Sequence, residues 1–244
     1  MSDHAVLCAG CSAPLKPAAM FCGACGHSSA ARPRDGSLTM VIALYVVLLL
    51  SAAAGLIYTE LTGDAFTAFA ATTTVLGILI VGFSAHYRSM LAGVTRIWGF
   101  SIAGYAWILV ASVAIVALVA GYVHAVHAVF GIHQESELVL FRDRSAVWPI
   151  LLMVIVPPLQ EELAFRGLIF GGLRTTLGVT EALLVSAFAF AMLHLSIPAL
   201  VTHLPLGLYF GWLRYRSNSL WPGVFAHACH NLGVVVLAWT GLSP

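Results

Sequence analysis

The stretch PPLQEELAFRG, residues 157–167, places two adjacent acids and an arginine inside a long apolar part of the chain. Ionisable groups in such a segment cost free energy and are by default candidates for function. Glu162 and Arg166 are four residues apart, so on a helix they share a face and can pair. Glu161 is turned by about 100° from Glu162 and can face the centre of a bundle. We therefore predict that Glu162 and Arg166 support the structure and that Glu161 handles a proton.

The composition of the whole chain indicates an integral membrane protein. Of its 244 residues, 60% are hydrophobic and only 9% are charged, whereas a soluble domain carries about 25% charged residues. The net charge of +1 argues against a nucleic-acid partner, which usually requires a basic patch. A span needs about 20 mostly apolar residues, and candidates lie at about 39–59, 66–84, 98–122, 147–170, 179–195, 199–213 and 220–241. We predict an all-α polytopic membrane protein with a bundle of about seven transmembrane helices, six and eight being the alternatives.

The distribution of positive charge predicts the orientation, because cytoplasmic loops carry an excess of Lys and Arg. If seven helices alternate, one side receives only Arg142 and Arg144. The other side receives Lys16, Arg32, Arg34, Arg88, Arg96, Arg174, Arg214 and Arg216. We therefore predict a cytoplasmic N-terminus and a C-terminus outside. The first 38 residues are too polar for a signal peptide, so the first span is expected to act as an uncleaved anchor.

Two CxxC pairs lie in CAGCSAPLKPAAMFCGAC, residues 8–25. Cys8, Cys11, Cys22 and Cys25 can together complete a tetrahedral site for a structural zinc ion. Two disulfides are the alternative, but they fit poorly with a cytoplasmic segment. We predict a zinc ribbon at 1–27, a flexible linker at 28–38 and a transmembrane helical domain at 39–244. The ribbon resembles those at the ends of many prokaryotic membrane proteins, which indicates a prokaryotic plasma membrane, and it is expected to stabilise structure or contact a protein partner.

The remaining polar side chains at membrane depth lie on three predicted helices. The spacing of four residues puts Phe190 with His194, and His227 with Asn231, on one helix face each. Glu161 can accept a proton from water that a histidine holds, and His227 and Asn231 can donate hydrogen bonds to an oxyanion. The same groups can instead hold a zinc ion through two histidines and one carboxylate, and both chemistries stay open. Two further histidines are expected outside the catalytic set: His203 as a core residue, with a role beside the substrate as the alternative, and His230 in packing or in support of the site.

Three motifs in these helices carry a family resemblance. EELAFR (161–166), FAMLH (190–194) and HACHN (227–231) resemble the EExxxR, FxxxH and HxxxN motifs of the CAAX protease and bacteriocin-processing family. The resemblance covers about residues 145–241, with the protease-like core there. It implies an all-helical intramembrane endopeptidase with Glu161 as general base and His194 as its water-binding partner. It also implies His227 and Asn231 as oxyanion stabilisers.

The prediction is therefore an endopeptidase that hydrolyses a peptide bond of a membrane-associated protein or peptide with activated water. Its substrate is expected to enter laterally or from the cytoplasm. Some members of the family are described as metalloproteases; we favour the metal-free glutamate mechanism over a catalytic zinc ion. The alternative from another class is a non-proteolytic membrane scaffold or bacteriocin-immunity protein that uses the same fold.

Overall fold

The fold of the chain is helical throughout the part that the structure describes. This computed structural model describes residues 7–8, 10–15, 22–27, 37–95, 100–131 and 137–240. The predicted linker therefore lies almost entirely outside the described residues. Seven helices run through the remainder: α1 (Ser37–Thr62), α2 (Ala65–His86), α3 (Ile102–Phe130), α4 (Val147–Leu173), α5 (Val179–Leu193), α6 (Ile197–Ser217) and α7 (Trp221–Trp239). Each predicted span corresponds to one of these helices, and no strand is present among the described residues, so the all-α fold class is confirmed.

The helices differ in their ability to cross a membrane. Among the described residues, α1, α2, α3, α4 and α7 are long and apolar enough to do so by length and composition. Their outer faces expose large apolar side chains such as Ile78, Ile102 and Leu118, which are 68%, 90% and 74% exposed. Such surfaces suit lipid and would be a liability in water. The protein is therefore an integral membrane protein.

Helices α5 and α6 form a hairpin packed into the bundle. The 15 residues of α5 span about 22 Å at 1.5 Å per residue, which is less than the roughly 30 Å of a hydrocarbon core. Ser196 then caps α6 by accepting a hydrogen bond from the Ala199 N–H at 3.4 Å. Helix α5 is therefore too short to cross a hydrocarbon core perpendicular to the membrane.

Local signals set several helix ends. The Asp64 side chain accepts a hydrogen bond from the Thr67 N–H and caps α2, which lowers the pKa of this carboxyl. Ser101 caps α3 in the same way, and α3 ends at Gly131, whose φ of 64° suits glycine. Helix α3 therefore begins and ends later than the predicted 98–122.

Successive helices alternate in direction, which gives the bundle two distinct faces. We call the face at which α1, α3, α5 and α7 begin the ribbon side, and the opposite face the far side. On the ribbon side the Ser37 hydroxyl lies 2.6 Å from that of Thr175, and the Leu220 N–H donates to the Val94 carbonyl at 2.8 Å. On the far side the rings of Phe66 and Trp148 are in edge contact at 5.7 Å.

The main apolar core fills the ribbon-side half of the bundle. Its buried members come from the first part of α1, the second half of α4 and the segment after α2, and include Leu44, Met90, Val94, Leu168 and Phe170. This tightly packed half leaves the polar residues of α4, α5 and α7 near the middle of the bundle.

Candidate active site

The floor of the candidate site is a fully buried ion pair. Glu162 and Arg166 are both 0% exposed, and the Arg166 Nη1 donates to Glu162 Oε1 at 2.8 Å. The Arg166 Nη2 donates to the Gly207 carbonyl at 3.0 Å, and the guanidinium lies 4.4 Å from the centre of the Phe190 ring. The four-residue spacing of the two charges therefore forms the predicted pair, and α6 supplies a further acceptor.

His227 lies between the two adjacent glutamates. Its Nδ1 is 3.2 Å from Glu162 Oε1, the oxygen that also accepts from Arg166. Its Nε2 is 3.8 Å from Glu161 Oε2. The ring stacks on Phe210 at 4.8 Å with an interplanar angle of 19°. Glu162 thus pairs with Arg166 and also orients the His227 imidazole. The sequence analysis predicted only the pairing with Arg166.

Gly223 has no side chain, which allows α7 to approach the Glu162 carboxylate closely. A Cβ placed on Gly223 would lie 2.8 Å from Glu162 Oε2. A Cβ on Gly207 would lie 3.0 Å from the Ala187 Cα, so α5 and α6 also depend on a missing side chain for their contact. These two glycines belong to the architecture of the site, although neither lies in the three motifs.

Asn231 is held by a carbonyl that two prolines have freed. The Met153 carbonyl would accept from the N–H of residue 157 in an α-helical turn and from that of residue 158 in a π-type turn, but Pro157 and Pro158 have no N–H. The Asn231 Nδ2 donates to that Met153 carbonyl at 2.8 Å. Helix α4 continues past Pro157 and Pro158 with wider π-type turns on either side, at Ile150–Ile155 and Glu162–Ile169. The prolines therefore create the attachment point for α7.

His194 is paired with a histidine that the sequence analysis treated as a core residue. The rings of His194 and His203 lie 3.8 Å apart. Nδ1 of His194 is 3.1 Å from the Phe190 carbonyl, and Nδ1 of His203 is 2.8 Å from the Ala199 carbonyl. Because a carbonyl only accepts, each Nδ1 carries the proton, and each neutral ring keeps a lone pair on Nε2.

These side chains converge on one cavity of about 600 Å³. Its volume falls within the range of about 300–1,000 Å³ that is usual for ligand sites. Glu162 and Arg166 lie behind its wall, as the 100° turn between the glutamates predicts. The polar lining includes Glu161, His194, His203, His227, His230 and Asn231. The predicted catalytic residues thus face one space, and their chemical roles remain predictions.

The four N-terminal cysteines form a compact cluster outside the membrane domain. Their sulfur atoms lie within 4.8 Å of one another, and the Sγ pairs Cys8–Cys25 and Cys11–Cys22 are each 3.6 Å apart, well beyond the roughly 2 Å of a disulfide. The cluster can hold a metal ion, and the residues fit the predicted zinc ribbon.

The comparisons with known proteins agree with this arrangement of motifs. Residues 143–233 match the protein family described as "Type II CAAX prenyl endopeptidase Rce1-like". This segment contains α4, α5, α6 and most of α7, so the resemblance predicted from the three motifs is confirmed over these helices. Over these helices the chain is similar to membrane peptidases of the CAAX protease type.

A curated relative gives the same general class. The Bacillus subtilis (strain 168) protein named "Putative membrane peptidase YdiL" is 34% identical over 112 residues, which are 45% of this chain and 46% of that protein. The match thus spans about half the length of the relative. No solved structure matches the chain significantly.

Proposed function

We propose that the protein is an intramembrane endopeptidase of the CAAX protease type. One observation carries the proposal: Glu161, His194, His227 and Asn231, from three helices, line the same cavity. The family match over the helices that bear these residues supports it. Cleavage of a membrane-associated protein or peptide without a covalent intermediate is the reaction that this set of groups fits.

The proposed reaction begins at Glu161. Its carboxylate takes one proton from a water molecule, and the resulting hydroxide adds to the carbonyl carbon of the peptide bond. Nε2 of His194 accepts the water's second hydrogen and holds the water in place. As the C–N bond breaks, Glu161 returns the proton to the leaving amine, which balances the hydrolysis.

The tetrahedral intermediate needs hydrogen-bond donors for its oxyanion. Asn231 has two amide hydrogens, and one of them is used by the Met153 carbonyl, so the second is available to the oxyanion. His227 donates through Nε2 when its ring is protonated, with Nδ1 held at Glu162. The chain of contacts from Arg166 through Glu162 to His227 thus positions a donor beside the base.

We propose the metal-free form of this mechanism. Among the described residues, the four cysteines form the one group of at least three candidate metal ligands whose donor atoms lie close together. Zinc in the cysteine cluster, by contrast, would be structural, since four thiolates complete its coordination.

The test is a comparison of membrane-protein termini in cells that carry the wild-type protein or Glu161→Gln. We expect new N- and C-termini with wild type and none with the variant, because glutamine cannot accept the proton. Glu60→Gln is the matched control, since Glu60 is exposed and outside the cavity. All three proteins should have equal abundance and equal melting temperatures in detergent.

Identical termini in wild type and Glu161→Gln would contradict the proposal. That result would favour the alternative function, a membrane scaffold or immunity protein, and binding partners of the N-terminal ribbon would then be sought. Purified protein cleaving a peptide that carries the identified site would give the direct confirmation.

A further inference from the structure

The cavity occupies mainly one half of the bundle. Helices that begin on the ribbon side line it mostly with residues from their second halves, such as Val119 and Val123 of α3 and Val234 of α7. Of the helices that begin on the far side, α6 lines it with residues from its first half, such as Thr202, and α4 contributes residues as far along as Phe165. The cavity therefore lies mostly in the far-side half and ends near the middle of the bundle, around Glu161 and Phe165.

The ribbon-side half closes the route from that direction. The buried ion pair of Glu162 and Arg166 lies directly behind the cavity wall, both side chains being 0% exposed. Beyond it, Leu168 and Phe170 of α4 are also 0% exposed and belong to the main core. A peptide approaching from the ribbon side would have to separate this packed layer.

Two properties of the chain assign the ribbon side to the cytoplasm. The described arginines at helix ends concentrate there, at Arg88, Arg174, Arg214 and Arg216, against Arg142 and Arg144 on the far side, and positive charge marks cytoplasmic ends. The cysteine cluster lies on the same side, because the Arg174 guanidinium donates to the Gly26 carbonyl. Free thiols in a metal-binding arrangement belong in a reducing compartment.

We infer that the cavity is entered from the non-cytoplasmic half of the membrane, and that its substrate is an internal, mostly apolar segment of a protein located there. The statement about the substrate rests on the proposed function, whereas the access route does not depend on it. The sequence analysis expected entry laterally or from the cytoplasm; we disfavour the cytoplasmic route because the packed core lies between Glu161 and the cytoplasm.

The chemistry of the lining defines the segment. No lysine or arginine lines the cavity among the described residues, and its walls are mainly Leu, Val, Ala and Phe. A terminal carboxylate would find no cation to pair with, and burying it unpaired would be costly. An extended internal segment fits this cavity better than a chain end with a free carboxylate. Its peptide bonds can reach Asn231 and the histidines, while its apolar side chains contact the walls.

Thiol labelling tests the access route in intact cells that express the full chain. Single substitutions Ala120→Cys and Ala199→Cys place thiols in the cavity wall. Thr62→Cys and Thr176→Cys are exposed controls for the far side and the ribbon side. Cells, or spheroplasts where an outer membrane is present, are treated with a membrane-impermeant maleimide, and mass spectrometry identifies each labelled cysteine.

We expect labelling at positions 62, 120 and 199 in intact cells, and at 176 only after permeabilisation. The inference would be overturned if the cysteines at positions 120 and 199, like the one at 176, are labelled only after permeabilisation. Labelling of 176 in intact cells would overturn the orientation and with it the inference. Because labelling requires no cleavage, repeating it with Glu161→Gln separates a failure of the access route from a failure of the proposed function.

Discussion

At the scale of single residues, Arg166 is the charge on which the site's floor depends. It lies fully buried among Glu162, the Gly207 carbonyl and the rings of Phe190 and Phe210. A buried pair of this kind is weak evidence for net stability, yet removal of one partner leaves an uncompensated charge in a medium that solvates it poorly. The consequence extends to His227, which shares the Glu162 oxygen.

Arg166→Met is therefore expected to destabilise the protein by roughly 3–5 kcal/mol. The measurement is unfolding in detergent, followed by circular dichroism, with Arg216→Met as the control because Arg216 is an exposed arginine of α6. Equal midpoints for the two variants would show that the pair is not structural.

His203 is expected to support catalysis, since its ring lies 3.8 Å from that of His194 and both line the cavity. We predict that His203→Gln lowers kcat/KM by roughly tenfold, less than the 10²–10⁴-fold contribution of a direct acid–base group. It should also alter the pH profile while leaving the unfolding midpoint close to that of wild type. A lower midpoint with an unchanged pH profile would instead assign His203 to packing, as the sequence analysis expected.

At the scale of elements, two prolines in α4 and an amide in α7 form one structural unit. Pro157 and Pro158 leave the Met153 carbonyl without a helical donor, and Asn231 supplies the replacement at 2.8 Å. Backbone irregularity at membrane depth is tolerated where another group satisfies the freed carbonyl. The exchange joins the two helices that carry Glu161 and His227 and fixes their relative register at the site.

A double-mutant cycle tests this exchange by stability alone. We expect Asn231→Ala to cost about 1–3 kcal/mol, because the Met153 carbonyl is left unsatisfied. In a background with both Pro157→Ala and Pro158→Ala the cost should be smaller, because the two alanines provide backbone N–H groups for the same carbonyl in either an α-helical or a π-type turn. Additive effects of Asn231→Ala and the paired proline substitutions on the free energy of unfolding would contradict the exchange.

At the scale of the whole molecule, the cysteine cluster and the membrane domain meet at a small contact on the ribbon side. Gly26, with a φ of 75°, packs against Val179, and its carbonyl accepts from Arg174. A unit of this size has too little core to be stable without metal or another cross-link. The membrane domain, in contrast, has its own core and needs no metal for its packing.

We therefore expect the purified protein to contain about one zinc ion per chain. Cys22→Ser or treatment with a strong chelator should remove the metal, while the helical circular dichroism signal of the membrane domain stays unchanged. Cys229→Ser is the control and should retain the zinc, because Cys229 lies on α7, away from the cluster. Two zinc ions per chain, one of them lost on Glu161→Gln, would point to a catalytic metal instead.

Comparison of prediction and structure separates local from non-local information. The seven helices and the Glu162–Arg166 pair were predicted, because hydropathy and four-residue spacing act within one helix. The contact of His203 with His194 was not predicted, since the two residues lie on different helices with a tight turn between them. Nor was the second contact of Glu162, because it depends on α7 approaching α4 at Gly223.

The sequence by itself determined that this chain is an all-helical membrane protein, that its charges concentrate at one end of the bundle, and that three motifs of the CAAX protease type lie on α4, α5 and α7. Those properties follow from apolar length, charge and spacing along the chain. Only the tertiary structure decided that His227 lies between two glutamates, that Asn231 satisfies a carbonyl freed by Pro157 and Pro158, and that the cavity lies mostly in the far-side half. These depend on which faces of distant helices meet, and close packing of glycines and buried charges selects that arrangement.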